Sequence, residues 1–201
     1  MNTPDEDARD EWYSGLVDEI SGQAINEFTF ERLRSYYLSN RTLAVNAISM
    51  FHEARKLVEI SPTSALVLFT SSIEVGLKAT LLKPVVYGLV HNESVADLIS
   101  DLAVKHNGFD RFKPLLSLVL KEYGNINFNS SKIEGHSKTI WEEISLLQNA
   151  RNTAVHRAEL TEATMAKLGQ EVAFMIFDEF LRSMLNSLSL ELEQGGEIRN
   201  A

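Results

Sequence analysis

The sequence predicts an all-α fold, and three observations carry that reading. Apolar residues recur every three to four positions along most of the chain. Strand-type alternation is almost absent. Helix-start signals, Ser-Pro and Thr-x-x-Glu, stand directly before the periodic runs. At 201 residues and 44% hydrophobic, the chain has apolar surface for one ordinary core. A single helical bundle is expected.

Taken in order, Trp12, Leu16, Ile20, Ala24 and Phe28 recur every four residues and predict an amphipathic helix over 8–26. Thr29 is placed to cap a short segment running to Ser39. Leu43, Ala47, Met50, Ala54 and Leu57 mark a helix over 42–59. Ser61-Pro62, a cap followed by proline at the first helical position, opens a helix that should stop at Lys83-Pro84. Ser94 with Asp97 starts a helix to about His106, ended by Asn107-Gly108. Asp110 begins another, to about Tyr123, in which Pro114 is tolerable only near the first turn. Residues 124–136 are rich in Asn, Ser and Gly and predict a loop. Thr139 with Glu142 forms a capping box, and Trp141, Ile144 and Leu147 continue that helix to about residue 153. Thr161 then caps a final helix through Met165, Leu168, Val172, Ile176, Phe180, Met184 and Leu188. The expected organisation is an acidic leader over 1–31, a bundle over 32–194 and a frayed tail over 195–201. Its four principal helices are 42–59, 62–83, 138–153 and 161–190, with extra short helices between them.

Composition narrows the chemistry. There are no cysteines, which excludes disulfides and thiolate catalysis. The N-terminus is acidic without an apolar stretch, and no window approaches the roughly 18 continuous apolar residues of a membrane span. A cytoplasmic setting is the expectation. The net charge is −9, but residues 1–31 hold nine acids and one base, a net of −8. The remainder holds nineteen acids and eighteen bases, a net of −1. Long-range steering of nucleic acid is not predicted, and a local basic cleft is not forbidden. No metal or cofactor is called for. His52, His91, His106 and His136 are scattered, and the glycines form neither a Walker loop nor a dinucleotide fingerprint. Phe174, Phe177 and Phe180 are expected in the core.

The candidate site is Arg151-Asn152-Thr153-Ala154-Val155-His156, followed by Arg157. Arg presents a planar cationic fork that suits a phosphate, and His transfers protons near neutral pH. In a regular helix, five positions turn these two side chains about 140° apart. Convergence on one phosphate therefore requires the helix to end or loosen within the motif, or a site shared between two chains. Glu74 and Lys78 supply a second clue. They are the only charges in the apolar helix 62–82 and lie four apart in the favourable order for an ion pair. They form either an exposed stabilising pair or the lining of a polar pocket against the helix carrying Arg151.

This pattern resembles the HEPN superfamily, helical bundles whose motif is Arg, four to six residues, then His, often with Asn after the Arg. The stretch from Ser64 to Ala79 also resembles the family's central helix, particularly in its AbiV-like abortive-infection branch. The resemblance covers residues 42–190 and implies a metal-independent endoribonuclease of a toxin or phage-defence system. Arg151 would then stabilise the phosphate, His156 would be general acid or base, and Asn152 would orient the phosphate or the His tautomer. Arg157, with Lys78 and Glu74, would contact substrate. No tyrosine follows His156, so the tyrosine role of some members has no counterpart. The implied partners are RNA, a second copy in a homodimer, and an antitoxin or inhibitor protein, for which the acidic leader is a candidate contact. The alternatives are a non-catalytic module binding a protein or nucleotide, with Arg151 in a surface ion pair to Glu142 or Glu143, and a leader that merely solubilises.

Overall fold

The computed structural model of the chain describes residues 27–90, 94–96 and 113–201. The architecture is all-α. Helix α1 covers 27–39, α2 Val45–Leu57, α3 Pro62–Val75 and α4 Lys83–Leu89. Then follow α5 Lys113–Gly124, α6 Ile140–Arg157, α7 Ala163–Phe174 and α8 Arg182–Ser187. Two π-helical segments, Gly76–Leu82 and Met175–Leu181, join α3 to α4 and α7 to α8. A short antiparallel hairpin, β1 (Leu190–Leu192) and β2 (Ile198–Asn200), follows α8 with Glu191 opposite Arg199.

Helix α3 is central because it is apolar on nearly every side, and it packs against α2, α6 and α7. Leu66, Phe69, Ile73, Leu77 and Leu81 are fully buried along it and its π extension. The few polar groups there are satisfied internally. Ser72 Oγ donates to the Ala47 carbonyl at 2.7 Å, and Thr80 Oγ1 donates to the Gly76 carbonyl. Glycine sets the closest approaches: a Cβ on Gly169 would sit 3.0 Å from Phe69 Cβ, and one on Gly76 would sit 2.9 Å from the Phe177 ring.

The expected stop at Lys83-Pro84 is corrected, because the helix continues to Leu89. Proline removes one amide donor and crowds the carbonyl four residues earlier, here that of Thr80. The π segment rearranges the hydrogen bonds in advance: the Lys83 amide donates to the carbonyl of Lys78, five residues back. The Thr80 carbonyl accepts instead from the Tyr37 hydroxyl at 2.6 Å. Tyr37 is fully buried, and burial, aided by neighbouring Tyr36, pushes its hydroxyl far above the usual tyrosine range. It therefore stays protonated as a donor.

Other boundaries moved for local reasons. Residues 27–30 are already helical, so Thr29 is no cap and the leader–bundle division at residue 31 falls inside α1. The expected helices over 8–26 and 94–106 lie wholly or largely outside the described residues, of which 94–96 are helical. Helix α7 is preceded by Glu162, while the Thr161 amide donates to Thr63 Oγ1 at 2.9 Å. The tail does not fray. The Ile198 amide donates to the Arg41 carbonyl, Ile198 is fully buried, and Gly196 (φ 90°) lies against the backbone of Val45. The continuous helix Pro62–Gly88 is long and apolar enough to cross a bilayer by length and mean hydropathy, although Glu74, Lys78 and Lys83 interrupt its apolar run, and it is mostly buried in the bundle. That burial is compatible with a soluble protein.

Tyr37→Phe should cost about 1–3 kcal/mol in urea unfolding, because it strands the buried Thr80 carbonyl. A loss below about 0.5 kcal/mol would mean that carbonyl needs no hydroxyl partner. Gly196→Ala should destabilise by about 1–3 kcal/mol, since its Cβ would meet Val45 Cα at 2.8 Å in a left-handed backbone. A thermal midpoint equal to wild type would show the tail to be dispensable.

Candidate functional site

Helix α6 carries the motif and is fixed at both ends. Thr139 Oγ1 accepts from the Glu142 amide, and Glu142 Oε2 accepts from the Thr139 amide at 2.7 Å, completing the capping box the sequence predicts. Those hydrogen bonds, first to the Thr139 backbone and then to its hydroxyl, hold the Glu142 carboxyl below its ordinary range. Ile140, Ile144, Leu147 and Ala154 anchor the inner face. The helix stops only at Ala158, which adopts a left-handed conformation (φ 55°).

The whole motif is therefore α-helical, and the expected end near residue 153 is corrected. Arg151 and His156 stay about 140° apart on one chain, and no single-chain phosphate clamp forms. The order around the solvent side is Arg151, Val155, Asn152, His156, spaced by about 40°, 60° and 40°. Asn152, Val155, His156 and Arg157 are exposed and Arg151 is half-buried. One NH group of Arg151 donates to Asn152 Oδ1 at 3.0 Å, which orients the fork across the strip. Among the described residues no carboxylate pairs with Arg151, His156 or Arg157.

The proposed bland partners of Arg151 are engaged elsewhere. Glu142 closes the capping box, and Glu143 is buried, with His136 Nδ1 3.2 Å from its carboxylate. His136 Nε2 lies 3.5 Å from Glu171, so this imidazole links the 125–139 loop to α6 and α7. Nothing in the spacing of His136 signalled that role, because its partners are seven and thirty-five residues away.

Glu74 and Lys78 do pair, at 2.7 Å, with the lysine side chain 11% exposed and the glutamate 41%. The pair is not fully exposed, and neither residue lines the groove that adjoins the motif. The groove that does adjoin the motif, about 280 Å³, is lined by Thr153, Ala154, Glu159, Leu160, Glu162 and Met165, among others. Its two carboxylates disfavour a phosphate, and neither Arg151 nor His156 reaches it. Among the described residues no group of three or more His, Asp or Glu side chains is arranged to hold a metal ion. Compared with protein-family models, curated proteins and solved structures, the chain matches none.

Because the folded carboxyl of Glu142 titrates lower than in the unfolded chain, its contribution is present above the ordinary carboxylate range. It is lost as pH falls through the lowered value. Glu142→Gln should therefore be less stable than wild type at pH 7, with the gap closing as pH approaches 3. A gap that is constant between those pH values would contradict a charged cap.

Proposed function

We propose that the chain is a metal-independent endoribonuclease that works as a homodimer in the cytoplasm, in a toxin or phage-defence role. The observation that carries this is the strip of α6: a half-buried cationic fork beside an exposed amide and an exposed imidazole, with no carboxylate partner among the described residues. Val155 stands within the strip, 49% exposed, and Leu160 just beyond it is 91% exposed. Apolar side chains in that position suit burial against a second copy. A two-fold axis through the strip would set each His156 beside the partner's Arg151 and supply two imidazoles to one cleft.

The chemistry then follows from residue type. One imidazole takes the proton of the RNA 2′-hydroxyl as the 2′-oxygen bonds to phosphorus. The second gives a proton to the departing 5′-oxygen as the P–O5′ bond breaks. The products are a 2′,3′-cyclic phosphate and a 5′-hydroxyl. Arg151 neutralises the charge that grows on the phosphorane oxygens, and Asn152 holds its fork in place. Arg157 is the candidate backbone contact. Glu74 and Lys78, paired with each other on the central helix, stay candidate substrate contacts. The divergence of Arg151 and His156 on one chain favours a second reading, a non-catalytic module that binds a protein or nucleotide through the same strip.

His156→Ala should reduce RNA cleavage by at least about a hundredfold without loss of helical content. Wild-type products should end in 2′,3′-cyclic phosphate, and cleavage should persist in excess chelator. Equal cleavage by the variant, or none by either protein, would hand the strip to the binding-module reading.

A further inference from the structure

The largest concave region among the described cavities lies away from the motif. Helix α2 and the π segment Met175–Leu181 border two adjoining cavities of about 380 and 470 Å³ that share Phe51, Arg55 and Phe174. Each has the volume of a small-molecule site. The apolar wall is aromatic: Phe51 meets Phe177 edge-on with centroids 6.1 Å apart, and Phe174 is 53% exposed. Phe174 was expected in the core. It lies just before the π segment and two positions from both Val172 and Ile176, about 160° around the helix from each, so its ring is outside while Phe177 and Phe180 stay buried. π segments cost hydrogen-bond geometry and occur often at functional sites.

The charge around this wall is one-sided. Glu134, Glu171 and Glu179 line the first cavity against a single cation, Arg55. Among the described residues Glu134 and Glu179 have no ion-pair partner, and Glu171 reaches only His136. Arg55 already stands over the face of Phe51, 5.7 Å from its centroid, a cation on one ring of this wall. In the second cavity Asp178 is held by Arg182 at 3.0 Å and Glu193 by Arg199 at 2.8 Å, leaving little net field there. An apolar body with an anionic head would meet repulsion at the open carboxylates. A cationic head would be attracted by them and by the ring faces.

We propose that this groove binds a small organic cation, an ammonium or guanidinium carried on an apolar or aromatic body. The site is separate from the motif, and its existence does not depend on the nuclease reading.

A charge series of probes tests it on the full chain: protonated 2-phenylethylamine, neutral 2-phenylethanol and anionic 3-phenylpropanoate, followed by amide chemical shifts. The amine should bind saturably and shift Phe174 and Glu179, with the alcohol about tenfold weaker and the carboxylate weaker still. Glu179→Gln, an exposed change that leaves the core intact, should weaken the amine several-fold and leave the alcohol unchanged. Phe174→Ala should weaken both. Equal binding of all three probes, tightest binding of the carboxylate, insensitivity to both variants, or response only to a lysine-bearing peptide would each overturn the proposal.

Discussion

The unbroken hydrogen-bond ladder of α6, from the Thr139 capping box to the left-handed Ala158, governs what the motif is able to do. Once every residue from Arg151 to Arg157 is helical, the directions of the side chains are set by geometry and no longer by sequence spacing. Ala154 points inward as the buried member, and the arc from Arg151 through Val155 and Asn152 to His156 runs from half-buried to exposed. A single chain then offers a strip and not a cleft. Any chemistry that needs the guanidinium and imidazole at one phosphate has to recruit a second surface.

That ladder depends in turn on the central helix against which α6 packs. Helix α3 tolerates Pro84 by a local exchange of partners, in which a π segment absorbs the missing amide and a buried tyrosine satisfies the Thr80 carbonyl. A second π segment, Met175–Leu181, has no proline to accommodate, and the two π segments meet where Gly76 admits the Phe177 ring. Close packing at this point leaves no room for even a methyl group, which makes the joint a structural hub.

The parts legible in the sequence were those governed by short-range rules. The capping box at Thr139, the Ser61-Pro62 start, the loop before α6 and the all-α class all rest on local chemistry and periodicity. What was illegible rests on distant partners. Pro84 reads as a stop unless Tyr37 is known to stand against Thr80. Gly195-Gly196 reads as a frayed end unless Val45 is known to stand against Gly196. At the motif, the residues were visible, but the helix end was misplaced because Ala158, not a glycine, adopts the left-handed stop. The exposed ring of Phe174 was legible from the helical period, which turns it about 160° from buried Val172 and Ile176. The pairing of buried Glu143 with His136 joins a loop to a helix and follows from no local rule.

On the proposed reading, the strip on α6 becomes a catalytic cleft only when two copies face one another. The most direct measurement is specific RNA-cleaving activity across a protein concentration series, set beside the dimer fraction from analytical ultracentrifugation on the same samples. Activity per chain should rise in parallel with the dimer and vanish in dilute monomer. Full activity per chain in solutions that sediment as monomer would contradict it.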